Sequence, residues 1–471
     1  MKAKIFFGSV EARVDNYSER RSPFSGEVVS YAPVCDEKDA LKALQIAQDA
    51  TKYAKQSTLS QRCNWLLDVA KKLKEQKEDI AKTITDEVGK PISFARVEVD
   101  RCIETVTLSA ETMRTMHGET INTDAMASGK KTTAFFTREP AGVVVAITPF
   151  NFPLNLVAHK LAPALVAGNC VVLKPTPEAP LTAYKFAKLF IESEFAIKDA
   201  LSVVYGDAEV GGALITSDIP RVISFTGSVP VGNIITKNAG IKKVSLELGG
   251  NAATYIDKSA DLDLAANRCA LGAFVNSGQV CISLQRIYVN GDIYDDFANK
   301  MAEETKKLVV GSPYEDDTFM GPLIDNDSCV RAMGWVESAI EEGAKALLTP
   351  RHDGRMFYPC VMADVRDDMA IVCEEVFAPI VSLIKVDSFD DAIPRMNNSP
   401  YGLQFSVFTN DLKLTQRAIS ELDAGGIVIN DMPTLRFDIQ PYGGVKLSGV
   451  GREGPKFAIE EMTEIKSVVI C

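Results

Sequence analysis

The sequence has little histidine and tryptophan, and it contains no apolar run long enough to span a membrane. Only three histidines occur among 471 residues, and none is clustered with cysteines, so we expect no zinc site and no other metal centre. The ten cysteines are scattered without a CxxC pair, which predicts mostly buried thiols in a reducing cytoplasm. The first residues, MKAKIFFGS, are too short an apolar run for a signal peptide, so we expect a cytoplasmic protein.

Positive charge is also in deficit, with 51 Lys and Arg against 63 Asp and Glu and a net charge of −12. This balance argues against nucleic acid or an anionic membrane as a partner. The composition, 46% apolar and 24% charged, is typical of a soluble globular protein. A chain of 471 residues is too long for one simple core, so two or three lobes are expected.

Hydrophobic periodicity predicts a helical first part, with helices over residues 38–53, 60–87 and 92 to about 116. Residues 120–138 differ, because β-branched and aromatic residues flank a Ser-Gly-Lys-Lys turn, which is typical of a hairpin. We expect this hairpin to be an arm that pairs with another subunit. The tail ends in KSVVIC, which predicts an edge strand able to pair with an arm.

From residue 141 the pattern alternates between strands and helices. Continuous apolar strands (GVVVAIT, CVVLK, LSVVYG, RVISFTG and KKVSLEL) separated by amphipathic helices predict a parallel sheet covered on both faces. Such sheets bind ligands where strand ends meet helix starts. A second α/β segment begins near residue 261 and runs past residue 430, with strands QRIYVNG, IVSLIKV, FSVFT and GGIVIND.

Cys281 stands in GQVCIS, after the small and polar run Asn276–Gln279. A lone cysteine is usually a small buried hydrophobe. A polar loop that leads into a helix start would instead favour the thiolate, because backbone amides and the helix dipole stabilise negative charge. The local sequence leaves both interpretations open.

Glu247 and Asn151 follow predicted strands. Glu247 ends a buried strand, where desolvation would raise its pKa toward the range of a general base; the alternative is an ion pair with a lysine such as Lys243. Asn151 could donate its amide to a developing oxyanion; the alternative is a turn residue that initiates the helix after Pro153.

The segment FTGSVPVG places Gly227, Ser228 and Gly232 between a strand and a helix, which suits a pyrophosphate at a helix N-terminus. Lys174 ends another strand and could reach a ribose hydroxyl or a phosphate, or be an ordinary surface lysine. Arg436, in PTLRFD, could bind an anionic substrate group or merely pair with Asp438.

Seven motifs together resemble the aldehyde dehydrogenase superfamily, in order and in spacing, from about residue 141 to residue 454. The motifs are TPFNFPLN, LKPTPEAPLTA, SFTGSVPVG, LELGGN, GQVCIS, EEVFAP and PYGGVKLSGVGREG. The helical start and the final strand also suit this family, so the resemblance covers nearly the whole chain.

The resemblance implies that Cys281 is the nucleophile, that Glu247 activates the deacylating water, and that Asn151 and the Cys281 backbone amide form the oxyanion hole. Lys174 and Glu375 match positions that hold the riboses of NAD or NADP, and Phe377 matches the residue beside the nicotinamide ribose. The full set implied to bind the cofactor is Thr148, Pro149, Phe150, Lys174, Gly206, Gly211, Phe225, Gly227, Ser228, Gly232, Leu248, Gly249, Glu375 and Phe377.

The resemblance further implies an α/β fold with three parts. These are a Rossmann-like dinucleotide-binding lobe (1–117 and 138–247), an α/β catalytic lobe (248–446) and a small β oligomerisation arm (118–137 and 447–471). The arm predicts a dimer or a tetramer, because an unpaired strand edge is a liability in a monomer.

Two departures from the family pattern concern specificity. Many NAD-preferring relatives have a glutamate three residues after the lysine of LKP, where this chain has Pro177 followed by Glu178, so NADP is allowed and dual use is expected. Non-phosphorylating glyceraldehyde-3-phosphate dehydrogenases often have an arginine before the catalytic cysteine, where this chain has Val280. Arg436 and Arg101 are candidates to contact a hydroxyl, carboxylate, sulfonate or phosphate of the substrate.

We therefore expect NAD(P)-dependent, non-acylating oxidation of a small hydroxylated or anionic aldehyde such as lactaldehyde, through a thiohemiacetal and a thioester of the cysteine. Glyceraldehyde 3-phosphate, sulfolactaldehyde and succinate semialdehyde are alternative substrates. Two other classes stay open: a cofactor-independent cysteine hydrolase or acyltransferase with His159 as base, and a catalytically silent member of the fold.

Overall fold

The computed structural model describes residues 1–12 and 14–471. Its helices are α1 (Glu37–Gln56), α2 (Leu59–Glu75), α3 (Lys77–Val88), α4 (Ile92–Thr115), α5 (Asn155–Ala167), α6 (Pro180–Ile191), α7 (Ala208–Thr216), α8 (Val229–Asn238), α9 (Leu262–Phe274), α10 (Tyr294–Lys306), α11 (Asn326–Glu341), α12 (Ala370–Cys373), α13 (Phe389–Asn397), α14 (Leu412–Glu421) and α15 (Pro455–Glu461). Short 3-10 helices follow α9 and precede α10, at Val275–Gly278 and Gly291–Ile293.

The strands fall into three larger sheets and three short two-stranded ones. They are β1 (Ile5–Phe7), β2 (Val10–Ala12), β3 (Tyr17–Arg21), β4 (Val28–Pro33), β5 (Glu119–Asn122), β6 (Thr133–Pro140), β7 (Val143–Ile147), β8 (Cys170–Lys174), β9 (Leu201–Val203), β10 (Val222–Thr226), β11 (Lys243–Glu247), β12 (Ala252–Ile256), β13 (Leu284–Asn290), β14 (Lys345–Ala346), β15 (His352–Asp353), β16 (Met356–Phe357), β17 (Cys360–Ala363), β18 (Ile380–Val386), β19 (Tyr401–Gly402), β20 (Gln404–Phe408), β21 (Gly426–Ile429), β22 (Val445–Lys446), β23 (Gly449–Val450) and β24 (Thr463–Ile470).

The first sheet has the order β2-β1-β9-β8-β7-β10-β11-β23. Its five central strands, β9, β8, β7, β10 and β11, run parallel to one another. On either side of them, β1 pairs antiparallel with β9 and the edge strand β23 pairs antiparallel with β11. All of β7, β8 and β10 is buried, as expected for apolar strands covered by helices on both faces. The predicted parallel sheet is thus confirmed, and its strands end together at Ile147, Lys174, Thr226 and Glu247.

The second sheet has the order β14-β17-β18-β13-β12-β20-β21 and is parallel except for the marginal β14. The chain passes directly from β11 of the first sheet to β12 of the second through residues 248–251. This short crossing holds the carboxyl end of β11 beside the start of the second sheet, and a cavity lined by Glu247, Leu248 and Gly249 opens there.

The third sheet, β24-β6-β5, is antiparallel and confirms both the predicted hairpin and the pairing of the tail with it. The register runs from Thr463 opposite Pro140 to Ile470 opposite Thr133. The predicted arm segment 447–471 does not belong to this sheet as a whole. Its part β23 pairs with β11 in the first sheet, and α15 packs against α4 and α5, so only β24 extends the arm.

The prediction that the first part of the chain is helical is wrong for the described residues before α1, which include β1–β4. These strands are three to six residues long and gain their order from distant partners, such as β9, which β1 joins through Phe6 and Val203. The second α/β segment also begins earlier than residue 261, because β12 is a central strand of its sheet. The predicted helix 60–87 is two helices, α2 and α3, that meet at Gln76.

Candidate active site

A cavity of about 660 Å³ lies between the first two sheets and α4. Its lining comes from segments that are far apart in the sequence: α4, the loops after β7, β10 and β11, the loop that carries Cys281, and the segment between β21 and β22. The predicted residues on its wall are Arg101, Pro149, Phe150, Asn151, Gly227, Ser228, Glu247, Leu248, Gly249, Cys281, Glu375, Phe377 and Arg436.

The loop that presents Cys281 has a left-handed backbone. Asn276, Ser277 and Gly278 have φ values of 51°, 57° and 71°, and at Gly278 a Cβ would collide with the backbone of Ala378. Only glycine adopts such a conformation at that spacing without cost. Cys281 then occupies a turn just before β13, so the expectation that it stands at a helix start is wrong.

The thiol of Cys281 is partly buried, and its Sγ lies 2.9 Å from the hydroxyl of Tyr442. Burial raises the pKa of Cys281 to about 12, against a lowering by the Tyr442 hydrogen bond and by the positive charge of Arg436. The expected depression of the thiol pKa by a helix dipole is therefore not found. In this conformation the sulfur is a neutral thiol at neutral pH.

Glu247 is the last residue of β11 and is 3% exposed. Both of its carboxylate oxygens lack a hydrogen-bond partner among the described residues. Burial, reinforced by the negative charge of Glu453, raises the pKa of Glu247 well above its usual value. The alternative pairing with Lys243 is wrong, since the Lys243 Nζ donates to the Thr463 carbonyl and pairs with Glu464 at 3.1 Å.

Asn151 is a turn residue whose side-chain amide also reaches the loop that carries Cys281. As a turn residue, its Oδ1 accepts from the Phe152 backbone N–H at 3.1 Å, just before α5. Its Nδ2 donates to the carbonyl of Gln279 at 3.1 Å, two residues before Cys281. A side-chain amide has two N–H donors, so one remains for a ligand beside the sulfur.

The loop between β10 and α8 brings glycines against the next strand. At Gly232 a Cβ would lie 2.7 Å from the Leu248 side chain, and at Gly227 it would collide with the ring of Phe225. At Gly249 a Cβ would collide with the carboxylate of Glu375, whose Oε1 accepts from the Gly250 N–H at 2.9 Å. A side chain at any of these glycines would therefore displace the Leu248, Phe225 or Glu375 side chain.

Glu375 and Phe377 approach this loop from the second sheet. Burial raises the pKa of Glu375 to about 7. Phe377 has a φ of 48°, an uncommon conformation for a bulky residue, and its ring meets Phe150 edge-on at 6.1 Å between centroids. Strain of this kind at a cavity wall is typical of functional positions.

Lys174 and its neighbours form a separate group outside the cavity wall. Lys174 is 9% exposed, so the surface-lysine alternative is wrong, and burial lowers its pKa. Its aliphatic carbon lies 3.8 Å from the place that a Cβ on Gly211 would occupy. Gly206 has a φ of 137° in the turn before α7, and the Thr148 N–H donates to the Lys174 carbonyl at 3.3 Å.

Arg101 and Arg436 meet at Asp438. Arg101 donates two hydrogen bonds to the Asp438 carboxylate, at 2.9 and 2.8 Å, and Arg436 lies 3.7 Å from the same carboxylate. Arg436 also pairs with Glu453 at 3.2 Å. The predicted pairing of Arg436 with Asp438 is therefore present, and Arg436 also lines the cavity; binding of a substrate group by Arg436 stays a prediction.

His159 is part of the same charged cluster and is not a partner of Cys281. Its Nε2 lies 3.0 Å from Asp438 and 3.3 Å from Arg436. Burial and the charge of Arg436 lower its pKa. The interpretation of His159 as the base of a cysteine hydrolase is therefore wrong.

Tyr442, Glu453, Arg331 and Lys90 are among the residues of the cavity wall that the sequence motifs did not predict. Tyr442 and Glu453 lie inside the motif PYGGVKLSGVGREG, so the sequence marks their segment. The motif alone assigns neither residue a role. Lys90 forms a buried ion pair with Glu98 and lies over the ring of Phe152. No sequence pattern marks Lys90, which follows Gly89 at the end of α3.

Residues 1–12 and 14–471 contain neither a metal-binding cluster nor a membrane-spanning helix. No three His, Cys, Asp or Glu side chains there are grouped so as to hold a metal ion. No helix in the described part of the chain is long and apolar enough to cross a membrane.

Comparisons with known proteins agree with the seven motifs. The model of the aldehyde dehydrogenase family matches residues 10–468. The chain is 45% identical over 440 residues to a 3-sulfolactaldehyde dehydrogenase of Priestia aryabhattai (93% of this chain, 91% of the relative) and 40% identical over 457 residues to a lactaldehyde dehydrogenase of Methanocaldococcus jannaschii (95% and 96%). The NADP complex of an NADP-dependent glyceraldehyde-3-phosphate dehydrogenase from Bacillus halodurans has a TM-score of 0.98 at 33% identity, over 100% of this chain and 99% of that one. The resemblance is thus confirmed: this chain belongs to the aldehyde dehydrogenase family.

Proposed function

We propose that this protein oxidises a small aldehyde that carries an anionic or hydroxyl group to the carboxylic acid, with NAD or NADP and through a covalent intermediate on Cys281. One observation carries the proposal. The Cys281 thiol, the unpaired carboxylate of Glu247 and the Asn151 amide line one cavity together with the Gly227–Ser228 loop.

Cys281 is proposed as the nucleophile. Its thiolate attacks the aldehyde carbon, and the carbonyl oxygen becomes an oxyanion. The second N–H of Asn151 and the backbone N–H of Cys281 stabilise that oxyanion, which makes the tetrahedral thiohemiacetal accessible. Only this tetrahedral, anionic carbon readily loses hydride, so the thiolate and the oxyanion donors are both needed.

NAD or NADP supplies the hydride acceptor when bound, and the remaining thioester stays on Cys281. The residues present fit such a cofactor, because the buried hydroxyls of Thr148 and Thr226, at the ends of β7 and β10, have no hydrogen-bond partner among the described residues. Gly227, Ser228 and Gly232 would hold the pyrophosphate at the start of α8. Lys174 and Glu375 would contact the riboses, with the other cofactor residues named above around them.

Glu247 is proposed to activate the water that hydrolyses the thioester. The water would take the place of the missing partner of its carboxylate, and Glu247 would accept a proton as the water attacks. A pKa raised by burial suits a base that must be regenerated near neutral pH. The presence of both Cys281 and Glu247 on the cavity wall disfavours a catalytically silent protein.

The substrate preference is inferred from the charges behind the cavity. Three cations, Arg101, Lys160 and Arg436, face two carboxylates, Asp438 and Glu453, which leaves one positive charge in excess while the nearby Glu247 is protonated. A hydroxyl or a single negative charge on the substrate would be attracted by the guanidinium of Arg436, which lines the cavity. The names of the two relatives, which act on sulfolactaldehyde and lactaldehyde, agree with such a substrate.

Glyceraldehyde 3-phosphate and succinate semialdehyde remain alternatives. Val280 replaces the arginine that often precedes the cysteine in phosphate-binding members, and it is buried, so one expected cation is missing for a doubly charged phosphate. Glu178 stands one position after Pro177, and its carboxylate accepts a hydrogen bond from the hydroxyl of Thr176. Use of both NAD and NADP is proposed because Pro177 stands where many NAD-preferring relatives have a glutamate.

The three-part organisation expected from the sequence is proposed for this chain. It has a cofactor lobe (1–117 and 138–247), a catalytic lobe (248–446) and an arm (118–137 with the end of 447–471). Self-association into a dimer or a tetramer is supported by β24, where Ile465, Val469 and Ile470 are each more than half exposed. All ten cysteines are free, which supports residence in the reducing cytoplasm.

The test is reduced-nicotinamide absorbance with a panel of aldehydes, each with NAD and with NADP. The panel holds lactaldehyde, glycolaldehyde, sulfolactaldehyde, glyceraldehyde 3-phosphate, succinate semialdehyde and an aliphatic aldehyde. We expect the highest kcat/KM for a hydroxylated or singly charged aldehyde, and none for Cys281→Ala. A folded protein with a free Cys281 thiol that reduces neither cofactor would overturn the proposal.

A further inference from the structure

The hydroxyl of Tyr442 is a polar group at the reacting sulfur that has no role in the mechanism so far. Tyr442 is 5% exposed and lies between β21 and β22, and its hydroxyl oxygen stands 2.9 Å from the Sγ of Cys281. Within the described ranges of the chain, no second group lies within hydrogen-bond distance of this hydroxyl. A buried phenol whose hydrogen bond goes to a nucleophile is poised to act on that nucleophile.

Arg436 strengthens this contact from the other face of the ring. Its guanidinium carbon lies 3.7 Å from the centroid of the Tyr442 ring. The guanidinium is held there by Glu453 at 3.2 Å. A cation over an aromatic face draws electron density from the ring and makes the phenol a better hydrogen-bond donor.

We propose that Tyr442 is a catalytic residue whose hydroxyl donates a hydrogen bond to the Cys281 thiolate and thereby raises the fraction of enzyme that carries the nucleophile. The thiol proton leaves to solvent through the cavity, and the phenol keeps its own proton. The same hydrogen bond stabilises the sulfur again when hydrolysis of the thioester expels it as a thiolate. This inference rests on the proposed function, in which Cys281 attacks the aldehyde.

The charged groups around the sulfur show why such a donor is needed. Burial raises the pKa of Cys281 to about 12, and the negative charges of Glu375 and Glu247 raise it further. Only the Tyr442 hydrogen bond and the positive charge of Arg436 act in the opposite direction. The pKa of Tyr442 is itself raised well above its usual value by burial, so the phenol is a donor at any pH at which the enzyme works.

The test is the rate at which iodoacetamide alkylates Cys281, followed by peptide mass spectrometry across a pH series. Mapping is required because Cys373 and Cys471 are exposed. A hydrogen bond to a charged group is worth about one to two pH units in an apparent pKa. We therefore expect Tyr442→Phe to shift the alkylation profile to higher pH by that amount and to slow alkylation about ten- to a hundredfold at pH 7.

The matched control is Tyr314→Phe, which removes a tyrosine hydroxyl that donates to Asp86 at 2.8 Å and is not among the residues that line the cavity. It should leave the Cys281 profile unchanged. Should Tyr442→Phe fail to fold, a ring-fluorinated tyrosine at position 442 keeps the shape and makes the phenol more acidic. That variant should shift the profile to lower pH.

The possible outcomes separate the two proposals. Profiles of the Tyr442 variants that coincide with that of the unmodified enzyme would overturn the role of Tyr442 and leave Cys281 as the nucleophile. Alkylation of Cys281 that leaves aldehyde oxidation intact would overturn the proposed function itself. A shifted profile with cofactor affinity unchanged would support Tyr442 and exclude a purely structural role.

Discussion

The two walls of the cavity differ in whether their polar groups already have partners within the protein. The proposed cofactor wall, around Thr226 and the Gly227–Ser228 loop, presents backbone, small residues and the Thr226 hydroxyl, which lacks a partner among the described residues. The opposite wall is a cluster of side chains that pair with one another, with Asp438 between Arg101 and Arg436. Buried polar atoms without a partner are costly in the free protein and are stabilised when a ligand supplies the partner. Ion pairs instead fix the charged side chains in place, and the net charge of the cluster then attracts or repels a ligand.

Glu247 and Cys281 stand where the two walls meet, and the largest effect is expected there. Cys281→Ala should lower aldehyde oxidation by at least about 10⁴-fold, because no other group at the site can form the thioester. The cofactor wall is untouched, so NAD or NADP affinity, measured by fluorescence titration, should be nearly unchanged. Normal turnover by this variant would remove Cys281 from the mechanism.

Glu247→Gln should slow steady-state turnover by about 10²- to 10⁴-fold and accumulate a covalent acyl-enzyme, because acylation then outruns hydrolysis. Only the ionised carboxyl accepts a proton, so hydrolysis in the unmodified enzyme should rise with pH through the raised pKa of Glu247. The variant should lose this acid limb. A mass spectrum without an adduct after one turnover would contradict the role of Glu247.

Arg436→Ala should raise KM for anionic or hydroxylated aldehydes by about 10- to 100-fold and should affect an aliphatic aldehyde much less. Glu453 keeps its hydrogen bond from Lys160 at 3.1 Å, so its charge is not left without a partner. Arg366→Ala is the matched control, since Arg366 is exposed and pairs with Asp368 at 3.0 Å. An equal rise in KM for both kinds of aldehyde would assign Arg436 to structure alone.

Asp438→Asn is a smaller and more selective test of the charged wall. It leaves a side chain of nearly the same shape and raises the excess charge of the cluster from one to two. The ratio of kcat/KM for glyceraldehyde 3-phosphate to that for sulfolactaldehyde should therefore increase, by about tenfold for a charge change at this distance. An unchanged ratio would mean that the substrate does not sense the charge of this cluster.

The same contrast separates what could be predicted from what could not. The loops with Asn151, Gly227 and Glu247 were predicted because each follows a strand in a recognisable motif, and strand ends of a parallel sheet meet at one edge. The environment of Cys281 was predicted wrongly, because whether a thiol meets a helix dipole or a tyrosine hydroxyl depends on a residue 161 positions away. The strands β1 and β12 were missed because short segments acquire their structure from pairing rather than from their own pattern.

By itself the sequence determined the parallel sheet, the glycine loops of the cofactor wall and the group of residues proposed for catalysis, because these depend on local patterns of a few residues. Only the tertiary structure decided which charges remain unpaired and which group touches the sulfur. The bond between Arg101 and Asp438 joins residues 337 positions apart, and no local pattern marks such a pair. Its strength arises from burial and precise distance, and both exist only once the two lobes and α4 have closed around the cavity.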